Sequence, residues 1–144
     1  LNHSNRKGTL QMNLLLLNGW QHIRRPNGMQ YPSLGMQINY QASPFLQLNY
    51  SNFIGSDKPD SLSSKRIYHD LYAIWKPHNK VFITACLDIG TEFTHQQDAM
   101  WFSPVLIVQY SIDPRTRMAL RGEYSYFWEK EAYGGFSLSL QKDF

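Results

Sequence analysis

The stretch from Ile74 to Phe93 reads IWKPHNKVFITACLDIGTEF. From Val81 onward it sorts by parity. Val81, Ile83, Ala85, Leu87 and Ile89 are aliphatic, whereas Phe82, Thr84, Cys86, Asp88, Gly90 and Glu92 bring an aromatic ring together with small, polar and acidic groups. Successive side chains of an extended strand point to opposite faces, so this pattern gives one aliphatic face and one carboxylate-bearing face. Before it, Lys76 to Asn79 (KPHN) is a short proline-containing break of the kind that ends one strand and starts the next.

The same grammar recurs along the chain. Ala42 to Pro44 and Asp113 to Arg115 are further tight breaks. Longer polar stretches lie between them, at Gln21 to Pro32, Gly55 to Lys65, Thr94 to Ala99 and Trp128 to Gly134. Short and long connections therefore alternate. The segments they separate, about 9–20, 33–41, 45–54, 66–76, 80–92, 100–111, 116–128 and 134–142, mostly alternate with period two. Leu34, Met36, Ile38 and Tyr40 stand against Gly35, Gln37, Asn39 and Gln41, and Met118, Leu120, Tyr124 and Tyr126 against Arg117, Arg121, Glu123 and Ser125. The first segment is the weakest, because Leu14 to Leu17 do not alternate. No window shows a helical period.

These segments are long. A strand in a soluble domain has about 5–6 residues, and a membrane-crossing strand about 9–11. Ten residues at a rise of ~3.3 Å, tilted by about 40°, cross ~25 Å, the height of an outer-membrane apolar band. Trp20, Tyr40, Tyr50, Phe53, Trp75, Phe93, Trp101, Tyr110, Tyr126 and Trp128 sit near segment ends, as interfacial girdles require. The expected fold is all-β: an antiparallel up-and-down transmembrane β-barrel with about eight strands in this chain. Residues 1–144 would form a single barrel domain or part of one.

Composition agrees with this reading and narrows function. The chain has 144 residues, 15% aromatic and only 17% charged. Its net charge of +3 comes without a dense Lys/Arg run, so nucleic acid is not an expected partner. The one cysteine, Cys86, excludes an internal disulfide or a paired-cysteine zinc site. His3, His22, His69, His78 and His95 show no metal-ligand spacing, and His69 and Asp70 fall on opposite strand faces. No nucleophile elbow, phosphate loop or dinucleotide fingerprint occurs, so neither catalytic residues nor a metal or other cofactor is expected. The chain opens on Leu1 with no signal peptide, which suggests mature protein or a piece of something longer.

Several stretches, in order, carry a resemblance: LNGWQ (17–21), NFIGSDKPDS (52–61), RIYHDLYAIWKP (66–77), DIGTE (88–92), WFSPVLIVQY (101–110) and ALRGEYSY (119–126). Together they resemble the OmpL-like β-barrel porins of Gram-negative bacteria, over about Leu10 to Leu140. The resemblance implies a bacterial outer-membrane location and a passive pore for small polar solutes or ions. It also implies a longer chain with further hairpins, so this one is expected to be part of a larger barrel. Phe144 reads either as a terminal assembly signal or as the place where the sequence stops.

An eight-stranded barrel is just filled by side chains, and inward Tyr72, Phe82 and Trp101 would plug one. Two alternatives to a porin therefore stay open. One is a non-conducting eight-stranded outer-membrane barrel with a structural or adhesive role. The other is a soluble lipocalin-type barrel with its apolar face turned inward around a ligand. If the apolar face is outward, outer-membrane lipid is its partner, and association into a homo-oligomer is left open. The pore-lining candidates are then Asp70, Tyr72, Asp88, Glu92, Gln109, Arg121 and Glu123. Arg121 is expected to pair with Glu123 or with Asp88. Arg24, Arg25, Asp57, Lys58 and Asp60 are candidates for the external mouth.

Overall fold

The computed structural model describes the chain except residues 6–7, 21, 26, 30, 57, 59–63, 95–97, 129–130 and 144. His95, Asp57, Asp60 and Phe144 thus lie outside the described residues. Nine strands form: β1 (Asn2–Ser4), β2 (Leu10–Leu17), β3 (Ser33–Ser43), β4 (Leu46–Gly55), β5 (Lys65–His78), β6 (Val81–Phe93), β7 (Ala99–Asp113), β8 (Thr116–Phe127) and β9 (Ala132–Lys142). They pair in chain order, every pair antiparallel, as one up-and-down sheet. Eight of them match the segments read from the alternation. β1 was not anticipated, because Asn-His-Ser is too short and polar to signal a strand; it forms by pairing with Gln11–Asn13 of β2. The first segment is also shorter than expected, ending at Leu17 rather than near Trp20.

Residues 44–45, 79–80 and 114–115 make two-residue turns at one end of the sheet, and each follows a register shift in the preceding strand. Such shifts add local twist and end the ladder where the chain must reverse. At the other end run the longer connections 18–32, 56–64, 94–98 and 128–131. β7 carries Pro104 opposite Leu87. Its missing N–H leaves the β7–β8 pairing without a rung between Phe102–Tyr126 and Val105–Glu123. A Ser103 to Ser125 hydroxyl bond of 3.0 Å spans that gap.

The two faces are distributed inside out relative to a water-soluble protein. One face carries rows such as Leu16–Leu34–Ile54–Ile67 and Leu71–Leu87–Pro104. Its side chains are exposed: Leu16 is 76% accessible, Leu34 56%, Leu106 51% and Leu120 53%. The opposite face carries Asn13, Gln37, Asn39, Asn49, Ser51 and Asp70, and there Asn49 is 4% accessible. Among the described residues only Met29 and Phe53 are buried hydrophobics. An apolar sheet face this large cannot stay in water. In a membrane barrel the same face meets acyl chains and the polar face turns inward.

Tyr40, Phe45, Trp75 and Tyr110 are exposed near the short-turn end, and Phe93, Phe102, Tyr124 and Trp128 near the other. Four residues expected in such girdles lie elsewhere. Tyr50 is in an outer row but at mid-height, level with Leu71 and Leu87. Trp101 and Phe53 belong to the inner rows, opposite Gly90 and opposite Gly35 and Tyr68. Trp20 packs on Phe53 and Tyr68, with ring centroids 5.1 and 4.6 Å away. The sheet is open: among the described residues β1 and β9 make no contact with each other.

Candidate functional site

The inner face divides into three zones. On β2–β4 it is an uncharged amide ladder, in which Asn13 donates to Gln37 at 3.3 Å, Asn49 donates to Asn39, and Ser51 donates to Asn49 at 3.1 Å. Side-chain amides both donate and accept, so neighbouring strands satisfy one another without charge.

On β5–β8 the wall is charged at mid-height. Asp70 stands directly opposite Asp88, and Asp88 opposite Ser103. The Tyr68 hydroxyl donates to Asp88 at 2.6 Å. Tyr72 lies opposite Cys86, and Gln109 opposite Phe82 and Ala119. Arg121 grips Glu123, two residues along the same strand, through Nη2 at 2.6 Å and Nε at 3.0 Å. Of the two partners expected for Arg121, Glu123 is therefore the one it binds, while Asp88 is engaged by Tyr68. Both members of the Arg121–Glu123 pair are nearly half exposed, so the pair contributes about 0–1 kcal/mol. All seven residues read as pore-lining fall in the inner rows. The wall is not uniformly polar, since Ile74, Val105 and Ile107 share those rows.

At the long-connection end, Glu92 joins three groups. It accepts from Lys58 Nζ at 2.9 Å, Ser64 Oγ at 3.0 Å and Arg66 Nη2 at 2.8 Å. The Arg66 guanidinium lies 5.3 Å from the ring centre of Trp20 and 5.8 Å from that of Trp101, a cation–π arrangement on two indoles. Gly19, at φ +132°, turns the chain after β2 so that Trp20 reaches this cluster. Two of the long connections are thus tied to the inner wall, one through Trp20 and the other through Lys58. Arg66, Ser64 and Trp20 were not among the site residues read from sequence. Their grouping depends on strand register and loop path, and only the alternation of β5 placed Arg66 inward.

The mouth candidates separate accordingly. Arg24 and Arg25 are exposed in the 18–32 connection. Lys58, read as a mouth charge, is committed to Glu92. Polar residues interrupt the outer face near mid-height: Asn52 lies opposite His69, and His69 Nδ1 is 2.8 Å from the Tyr50 hydroxyl. Among the described residues no group of three or more His, Cys, Asp or Glu is placed to hold a metal ion.

A family model described as "Putative beta-barrel porin-2, OmpL-like" matches residues 3–141. No curated protein and no solved structure matches the chain.

Proposed function

Starting from the premise that the chain belongs to the OmpL-like β-barrel porin family, we propose that it forms wall of an outer-membrane channel for passive diffusion of small polar solutes and ions. The observation that supports this most is the inside-out sheet: exposed Leu and aromatic rows on one face, amides and carboxylates on the other. The apolar face would lie against outer-membrane lipid and the polar face against water. Transport of this kind makes and breaks no covalent bond, so the inner residues act through charge, size and hydration alone. Asp70 and Asp88 are the charges closest to mid-height that no cation neutralises among the described residues, and they would favour cations there. Tyr72, Gln109 and the Arg121–Glu123 pair would line the same passage. Lipid cannot satisfy the open β1 and β9 edges, so in the membrane both edges would have to be paired, whether with each other, with further strands or with a second copy.

The test is conductance of the full-length polypeptide in a planar bilayer. Stable stepwise openings are expected, with a reversal potential in a KCl gradient that shows cation preference and moves toward zero in Asp70→Asn/Asp88→Asn. A folded, heat-modifiable protein that never conducts would replace this reading with a plugged structural barrel.

A further inference from the structure

Charge is zoned along the strand direction. At the short-turn end Lys76, Lys80, Arg115, Arg117 and Lys142 face only Asp113 and Asp143 among the described residues. Mid-height is acidic, with Asp70, Asp88 and Glu123 against Arg121. The basic end also holds a recess of about 820 Å³ on the inner face, lined by Lys76, Lys80 and Arg117 together with Gln47, Gln109 and Ser111. That volume lies in the range of small-molecule sites.

The three cations come from the end of β5, the turn that follows it and the start of β8, and they border one space. Lys76 rests over the Phe82 ring, 5.3 Å from its centre, and among the described residues neither Lys76 nor Lys80 lies within ion-pair distance of a carboxylate. Arg117 has only a loose contact of 3.8 Å with exposed Asp143. Asp113 also borders the recess, but its carboxylate accepts the Arg115 N–H at 2.8 Å and so caps the turn. Lys76, Lys80 and Arg117 outnumber Asp113, the one carboxylate in the described lining, which acts on Lys80 through space, so the recess keeps a net positive charge. With the amide and hydroxyl groups of Gln47, Gln109 and Ser111 they form a donor set suited to an anion of more than one charge.

We propose that this recess binds the phosphate or carboxylate groups of a small polyanionic solute at the short-turn mouth of the lumen. The proposal rests on the inner face being the lumen wall, but binding does not require that the channel conduct. The same chemistry is offered by a lipid phosphate; the inner-row position of Gln47, Gln109 and Arg117 assigns the site to solute.

The experiment is calorimetric titration of inorganic pyrophosphate into the full-length protein folded in non-ionic micelles. Saturable binding is expected, weakened at least tenfold in Lys76→Gln/Lys80→Gln. In Lys142→Gln, at the same end but in the outer rows, it should change less than twofold. Absence of binding in folded protein, or equal loss in Lys142→Gln, would overturn the site. Displacement of pyrophosphate by phosphatidylglycerol in the micelles would overturn its assignment to solute. Channel failure in a bilayer with binding intact would count against the porin reading and leave the site standing.

Discussion

At Gly90 the backbone of β6 carries the indole of Trp101 directly above it. A Cβ built there would stand 2.0 Å from Trp101 Cζ2, 2.2 Å from Cε2 and 2.5 Å from Cη2. The ring cannot simply retreat, since Arg66 lies against it and Glu92 holds Arg66 from the other side. Overpacking of this kind costs about 1–3 kcal/mol. Gly90→Ala should therefore lower the unfolding free energy of the vesicle-folded protein, read from urea titration, by that amount. In a Trp101→Leu background, which removes the indole, the same substitution should cost at most about 0.5 kcal/mol, because neighbours in contact are not additive. Equal costs in both backgrounds would show that the ring is not what the glycine accommodates. Gly55 repeats the device on β4, where a Cβ would meet Ser33 Oγ at 2.0 Å. Glycines on this wall thus mark where a bulky or polar neighbour leans across the sheet.

Among the elements, β6 tests the assignment of faces most directly. Leu87 lies in an outer row near the strand centre, and Thr84 in an inner row. Leu87→Arg should cost about 2–4 kcal/mol in lipid, the penalty for a lipid-facing charge near the midplane. Thr84→Arg should change stability by roughly 0.5 kcal/mol or less, since its head would be hydrated. Urea unfolding in vesicles, followed by tryptophan fluorescence, reads both; a reversed order would invert the barrel. The strands were legible because period two is a local signal, and each parity class of β3, β4, β6 and β8 lands on the face its composition suggested. Where the local signal weakens, less can be read: β7 was recognised as a strand but its faces are not separated by composition, and β1 was not recognised at all. β7 is apolar on both parities at Val105 to Val108, and β1 has no apolar residue at all. The inward rows of Asp70, Asp88, Arg121 and Glu123 followed from parity alone. The partners Tyr68 for Asp88 and Lys58 for Glu92 did not, since they require inter-strand register and the path of residues 56–64.

For the molecule as a whole, the decisive property is whether water fills the space the inner face bounds. The sequence contains one reporter of it. Cys86 is the only cysteine, and it lies at mid-height in the inner row, between Tyr72 on β5 and Val105 on β7. It is partly accessible in the open sheet, so its reactivity in the closed barrel depends on what the remaining wall and the tied connections leave free. In a water-filled lumen a small anionic methanethiosulfonate, unable to enter lipid, should label Cys86 in the folded, reconstituted full-length protein. A bulky polymer-linked reagent should react only after denaturation. In a plugged barrel the thiol would resist both until unfolding. A lumen that is wet at Cys86 but narrowed at one end would admit the small reagent from only one side of an oriented membrane. The cluster of Trp20, Arg66, Trp101 and Glu92 predicts the direction: it fills the inner face at the long-connection end, whereas the basic recess leaves the short-turn end open. Labelling should therefore be faster from the short-turn side. Freeing the first connection with Trp20→Ala should bring the two rates together, and rates unequal in the opposite sense would place the constriction at the basic mouth instead.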